Sequence, residues 1–240
     1  MGAALGWGAL AASSLVLGVL LAFARSWSPP PIGLILAFGA GALISAVSLE
    51  LAEEGLKIGS PASVALGLAL GALTYFVADG LLARGDKKTA GIGGQQSSGS
   101  GTSLALGSFL DGVPEQAVLG IGLAGGDPVS VALLVAIFVS NLPEGIGAGV
   151  DMQAAGMPRA RIVRLFVVVG VVCTLSSGVG FAIADSVSGD FQAGINGFAA
   201  GALLVMLIDS MIPESREKAG RSAGLVAVLG FAVATALSHL

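Results

Sequence analysis

Charge is what this sequence lacks most. Only 11% of its 240 residues are Asp, Glu, Lys or Arg, while 55% are hydrophobic. Soluble domains carry roughly a quarter charged residues, so a water-soluble globular domain is excluded on composition. Cysteine is nearly absent: Cys173 stands alone, which rules out an intramolecular disulfide. No Walker loop, dinucleotide fingerprint, CxxC or HExxH pattern appears. No nucleotide-hydrolysing domain is therefore expected, and the chain does not read as an enzyme. The basic residues are spread over short loops rather than gathered into a patch, so no nucleic-acid partner is expected. The one histidine, His239, is penultimate, where a frayed terminus is the ordinary reading. The opening MGAALGWGALAASSLVLGVLLAF has no basic n-region and is too long for a signal-peptide core, so it reads as a retained first helix.

What the chain has in abundance is glycine, 38 residues of it, and long apolar runs. About 20 apolar residues cross a bilayer core. By that measure eight segments emerge, at 3–24, 32–53, 62–83, 103–124, 128–150, 161–184, 192–213 and 221–239. The expected fold is an all-α polytopic membrane protein, one transmembrane domain over residues 1–240, with the lipid bilayer as its first partner. Loop chemistry marks the breaks: Ser28 with Pro29, Pro30 and Pro31; Gly59-Ser60-Pro61; Gly126-Asp127-Pro128. The longest connection, residues 84–102, is glycine- and serine-rich after its basic start and reads as a flexible linker.

Basic residues orient the spans. Counting loops in order, the odd loops hold Arg25; Arg84, Lys87 and Lys88; Arg159, Arg161 and Arg164; Arg216, Lys218 and Arg221. Ten of the eleven basic residues thus lie on one side, and only Lys57 on the other. The positive-inside rule places the odd loops, including 84–102, in the cytoplasm and both termini outside. The expected location is the plasma (inner) membrane of a prokaryote. A homodimer is compatible with the sequence but not specified by it.

Two resemblances lie within the chain. Gly41–Glu50 (GALISAVSLE) resembles Gly201–Ser210 (GALLVMLIDS) at an offset of 160, with Phe38 and Phe198, and Glu54 and Glu214, keeping register. The two copies fall on the second and seventh helices, which run in opposite directions. That is the mark of an inverted repeat, with helices 1–3 and 6–8 as the halves and helices 4 and 5 as a central pair, a 3+2+3 arrangement. The central pair is itself repetitive: Gly112-Val-Pro-Glu115 matches Asn141-Leu-Pro-Glu144 at an offset of 29.

These proline–glutamate pairs carry the chemistry. A charged side chain at bilayer depth costs at least about 2.5–3.5 kcal/mol, and a proline beside it frees a backbone carbonyl one turn earlier. Positions four apart share a helix face. One stripe is therefore Asp111 with Glu115, and the other is Ser140, Asn141 and Glu144. Two carboxylates on one face repel unless a cation or protons intervene. A divalent ion bridging Glu115 and Glu144 would satisfy them; a proton relay, or protonated glutamates that merely pack the bundle, is the competing reading. Cys173, Ser177 and Asp209 are weaker candidates, with helix packing or a solvated helix end as the alternative for each.

At these residues the chain resembles the ZIP (Zrt- and Irt-like) family of divalent metal transporters. The specific part is the family's HNxPEG pattern on helix 4 and [HQ]NxPEG on helix 5, here Asp111-Gly-Val-Pro-Glu-Gln116 and Ser140-Asn-Leu-Pro-Glu-Gly145. GALISAVSLEL and GALLVMLIDSMIPES look like the family's helices 2 and 7. The resemblance implies eight helices, outward termini and secondary transport of a divalent metal into the cytoplasm, with no cofactor beyond the transported ion. It also implies that Glu115 and Glu144 are bridging ligands, that Asp111 and Ser140 stand where the family carries imidazole or glutamine, and that Asn141 keeps a ligand amide. The family's helix 6 carboxylate has no counterpart in VVCTLSSGVG, where Cys173, Ser176 and Ser177 are the candidates by position. Such an oxygen-rich set shifts preference from zinc toward manganese or iron(II), or even magnesium, without excluding zinc. Two other readings stay open: a proton-coupled transporter of a small solute, and a divergent family member that does not transport.

Overall fold

The computed structural model describes residues 1–89, 101–124, 129–187 and 189–238, with side chains at all of these except 82–89, 101–111 and 185. The described residues form eight helical rods and no strand. We label them α1 (Gly2–Ala24), α2 (Pro29–Ile58), α3 (Pro61–Thr89), α4 (Gly101–Gly122), α5 (Val131–Ala154), α6 (Arg159–Ser186), α7 (Asp190–Ala219) and α8 (Ser222–Leu237). Six of them, α1, α2, α3, α5, α6 and α7, are long and apolar enough to cross a membrane, and α8 is a shorter apolar helix. The chain is a helical integral membrane protein.

Local chemistry sets the helix ends. Pro29 opens α2 and Pro61 opens α3, at first-turn positions where a missing N–H leaves no bond unmade. Ser130 caps α5 by accepting from the Leu133 N–H at 3.1 Å. Gly156, Gly189 and Gly220 take positive φ at the turns before α6, α7 and α8, a backbone region glycine enters without a Cβ clash. Several ends depart from expectation: α3 continues to Thr89 rather than 83, α7 to Ala219 rather than 213 and α2 to Ile58 rather than 53, while α4 starts at Gly101 rather than 103. The reason for the first is visible in LLARGDKK: Leu, Ala, Arg and Lys are good helix formers, and basic residues near a helix C-terminus complement its dipole. Linker residues 90–100 lie outside the described residues.

Neither α2 nor α7 is a plain α-helix. Each widens into a π-helical segment, Val47–Ala52 in α2 and Leu207–Met211 in α7. Their starting residues are 160 apart. π-Bulges are rare and occur often at functional sites.

The rods pack in two groups. α1 packs on α5 and α6, and α4 packs on α6; α3 packs on α7, and α8 packs on α2. α2 against α5, and α7 against α4, join the groups. Close approach depends on glycine. A Cβ on Gly41 would collide with the Ala227 carbonyl and one on Gly201 with the Leu68 carbonyl; Gly71 meets the Phe198 carbonyl, and Gly230 the Phe38 carbonyl. Without a hydrophobic drive between helices in lipid, such backbone-to-backbone packing supplies much of the association. At one end of the bundle lie Arg25, Arg159 and Arg216; at the other lie Glu53, Glu54 and Asp190, where the Asp190 carboxylate accepts from the Ser60 N–H. We call these the arginine-rich and acidic ends.

Filling one of the glycine contacts should loosen the bundle. Gly71→Val drives a side chain into α7 backbone and should cost about 3 kcal/mol, seen as a lowered melting temperature of the detergent-solubilised protein. Gly224→Ala, at a position with open space around it, should melt like the wild type.

Candidate functional site

Both proline–glutamate pairs lie inside continuous helix. Pro114 sits within α4 and Pro143 within α5, without ending either. Proline has no N–H, so each leaves the carbonyl four residues back without its helical donor. Polar surface thus accumulates in the middle of two apolar rods.

The structure brings Glu115 and Ser140 together. Glu115, Ser140 and Asn141 are all 0% exposed. The Ser140 hydroxyl lies 3.0 Å from the Ile137 carbonyl and 3.3 Å from Glu115 Oε1, and its proton serves these two acceptors. Helix α2 closes on the same spot: a Cβ on Gly39 would come within 2.8 Å of Ser140 Cα. Both carboxylate oxygens of Glu144 and Glu115 Oε2 are sealed from solvent.

The register of this contact orders the remaining positions. α4 and α5 are consecutive and antiparallel, so with Glu115 beside Ser140, positions 111 and 144 lie level with each other. Each is one turn, about 6 Å, nearer the arginine-rich end. Backbone placement therefore stacks two tiers: Glu115 with Ser140, then position 111 with Glu144. The side chain of Asp111 lies outside the described residues.

Cys173 of α6 belongs to this neighbourhood. It is fully buried, and its thiol lies 2.7 Å from where a Cβ on Gly112 would stand, three residues from Glu115 on α4. Sequence spacing alone left its register open. Ser177 is placed differently: its hydroxyl donates to the Ala4 carbonyl at 3.0 Å and ties α6 to α1. Asp209 is exposed within the π-helical segment of α7, away from the pair. Gln116, which sequence reading passed over, is buried against α1. With its amide oriented to suit its neighbours, it donates to the Gly8 carbonyl at 3.3 Å and accepts from the Ala12 N–H at 3.2 Å. A glutamine directly after the glutamate in an apolar run was its only sequence signal.

Asn141 has no such arrangement. Its Oδ1 and Nδ2 are both buried and make no hydrogen bond among the described residues. A buried polar group left so costs about 1–3 kcal/mol. Chemically, the arrangement offers carboxylate, amide and hydroxyl oxygens and one thiol in a site without water access. Such a set can accept a cation or carry protons. Among the described residues, no three His, Cys, Asp or Glu side chains converge into a metal-holding group.

No protein-family model matches the chain, and no curated protein matches it.

Asn141→Leu removes the orphaned amide at nearly constant volume. Without added metal it should raise the melting temperature, by an amount corresponding to about 1 kcal/mol or more, because an apolar replacement has nothing to leave unsatisfied. A fall in melting temperature would mean that the amide has a stabilising partner.

Proposed function

We propose that the chain is a secondary transporter of divalent metal cations of the ZIP type, moving zinc or a harder ion such as manganese or iron(II) into the cytoplasm. The observation that carries this reading is the burial of Glu115 against Ser140, one tier from Glu144 and beside the orphaned Asn141 amide. A protein has little reason to keep carboxylates and an unsatisfied amide in an apolar bundle unless something polar enters there.

The eight-span, 3+2+3 inverted-repeat arrangement belongs to the same proposal. It is supported by the packing: exchanging α2 with α7 and α3 with α8 turns the Gly71–Phe198 contact into Gly230–Phe38, and Gly41–Ala227 into Gly201–Leu68. The two π-helical segments exchange as well. In this reading the arginine-rich end faces the cytoplasm. The group of α1, α4, α5 and α6 shifts against the group of α2, α3, α7 and α8, exposing the pair alternately. Oxygen donors dominate the site, which favours manganese or iron over zinc.

Proton-coupled transport of a small solute is the second reading. The Ser140 hydroxyl donating to Glu115 at 3.3 Å is the observation that favours it, since a hydroxyl can pass a proton to a buried carboxylate. Glu115 and Glu144 would then carry protons.

Uptake into proteoliposomes separates the two. Across Zn, Mn, Fe, Co, Cd and Mg, the wild type should take up at least one metal, with Mn or Fe ahead of Zn, and Glu144→Ala should lower that uptake at least tenfold. Asp111→His should move preference toward zinc. Metal-independent solute flux with no metal uptake would overturn metal transport; unchanged selectivity in Asp111→His would remove Asp111 from the site.

A further inference from the structure

A cavity of about 300 Å³ opens at the acidic end, between α2, α4, α5 and α7. Its wall carries Glu50, Glu53, Glu54, Gln192 and Asn196. Its floor is Val118, Leu119 and Leu133, all buried. Leu119 lies one turn from Glu115, and Leu133 two turns from Ser140, so apolar side chains separate the cavity from the intramembrane pair.

Three features of this cavity point to a cation. The first is charge. Lys57 bridges Glu53 at 3.1 Å and Glu54 at 3.8 Å, so one ammonium faces three carboxylates. Glu50 is in neither of these ion pairs and lines the cavity beside Ser130. The second is Asn196. It is 4% exposed and lines the wall, yet its Oδ1 finds no hydrogen-bond partner among the described residues. A buried amide oxygen left so costs about 1–3 kcal/mol, and a cation or its water shell would satisfy it. The third is local backbone: Glu50 sits inside the π-helical segment of α2, the kind of irregularity found at functional sites.

Size and donor geometry say in what form the ion would bind. Water occupies about 30 Å³ per molecule, so an ion with six waters needs about 180 Å³ and fits. Among the described residues, no three acidic side chains converge tightly enough to replace that shell. We propose that this cavity binds a hydrated divalent cation through Glu50, Asn196 and Gln192, as an antechamber distinct from the buried glutamates. It rests on the proposed metal transport only for its purpose, not for its binding.

The test uses the full-length protein in detergent carrying Glu115→Gln and Glu144→Gln, which removes the intramembrane carboxylates. Mn²⁺ is titrated in and the free ion followed by electron paramagnetic resonance. One Mn²⁺ per chain should stay bound. Adding Glu50→Gln should weaken it at least tenfold, and adding Asn196→Asp, which supplies a charge where the amide oxygen stands, should tighten it. Exchange-inert hexaamminecobalt(III), a mimic of a hydrated ion, should compete. No Mn²⁺ binding in the double variant, indifference to Glu50→Gln, or weaker binding with Asn196→Asp would overturn the site. Failure of the cobalt complex to compete would overturn its hydrated form. Equal Mn²⁺ binding by wild type and double variant would count against the intramembrane site while leaving the antechamber standing.

Discussion

A carboxylate that is sealed from water must be neutralised, and Glu115 makes that demand at the centre of this bundle. Removal of an ion from water carries an effective penalty of several kcal/mol. The Ser140 hydroxyl, 3.3 Å from Glu115 Oε1, offsets part of it. Much around Glu115 is arranged to concentrate polarity there: a proline on each central helix, a serine from α5, a second glutamate one tier away and a thiol from α6. Gln116, next in sequence, turns the other way and is satisfied by α1 backbone. Adjacent residues thus divide the work, one anchoring the helix and the other left facing the site.

That concentration is possible only because the helices come close together. Glycine removes the side chain at successive crossings, and two of the contacts that join α3 to α7 are matched by two that join α8 to α2. Matching also extends to the backbone irregularity, since α2 and α7 each turn π-helical along the stretch that follows their central glycines. Wider turns disturb the regular i→i−4 ladder, and in α2 they do so at Glu50. An irregular stretch so placed makes a natural join between a rigid packed half-helix and a charged mouth.

Much of this was legible in the sequence, and the gaps have physical causes. Apolar run length found the helices, because lipid imposes a nearly fixed span. The same rule misjudged the end of α3, since a helix does not stop where the bilayer does when the next residues are Leu, Ala, Arg and Lys. The proline–glutamate pairs were visible as costly residues in costly places. Cys173 and Ser177 were ambiguous because both sit on an apolar helix without a phase marker; only packing turns the thiol toward Gly112 of α4 and the hydroxyl toward Ala4. The π-helical segments have no compositional signature. Glu50 read as a solvated rim because the residues that line the cavity with it, among them Ser130 and Asn196, belong to other elements.

The two motif copies are offset by 29, but the packing offset is 25. Gly18 meets the Leu142 carbonyl where Gly180 meets that of Ala117, and Gly145 meets the Leu15 carbonyl where Gly120 meets that of Ser177. By packing, the counterpart of Glu115 is therefore Ser140, the residue it touches, and the counterpart of Glu144 is Leu119. The difference of four residues is one helical turn, which keeps the same face but changes the level. Sequence symmetry and packing symmetry thus disagree by one tier, and the disagreement has a use. If the glutamates were packing counterparts, they would lie at mirrored depths about the centre of the bundle. Slipped by one turn, Glu115 holds the central tier and Glu144 lies nearer the arginine-rich end, level with position 111, while apolar Leu119 fills the matching level toward the acidic end. The polar ladder therefore leads in one direction only. In the proposed transport, an ion held in the acidic cavity would meet the leucine layer as its barrier, and beyond it the tiers of Glu115 with Ser140 and then Glu144 would offer oxygen donors toward the arginine-rich end.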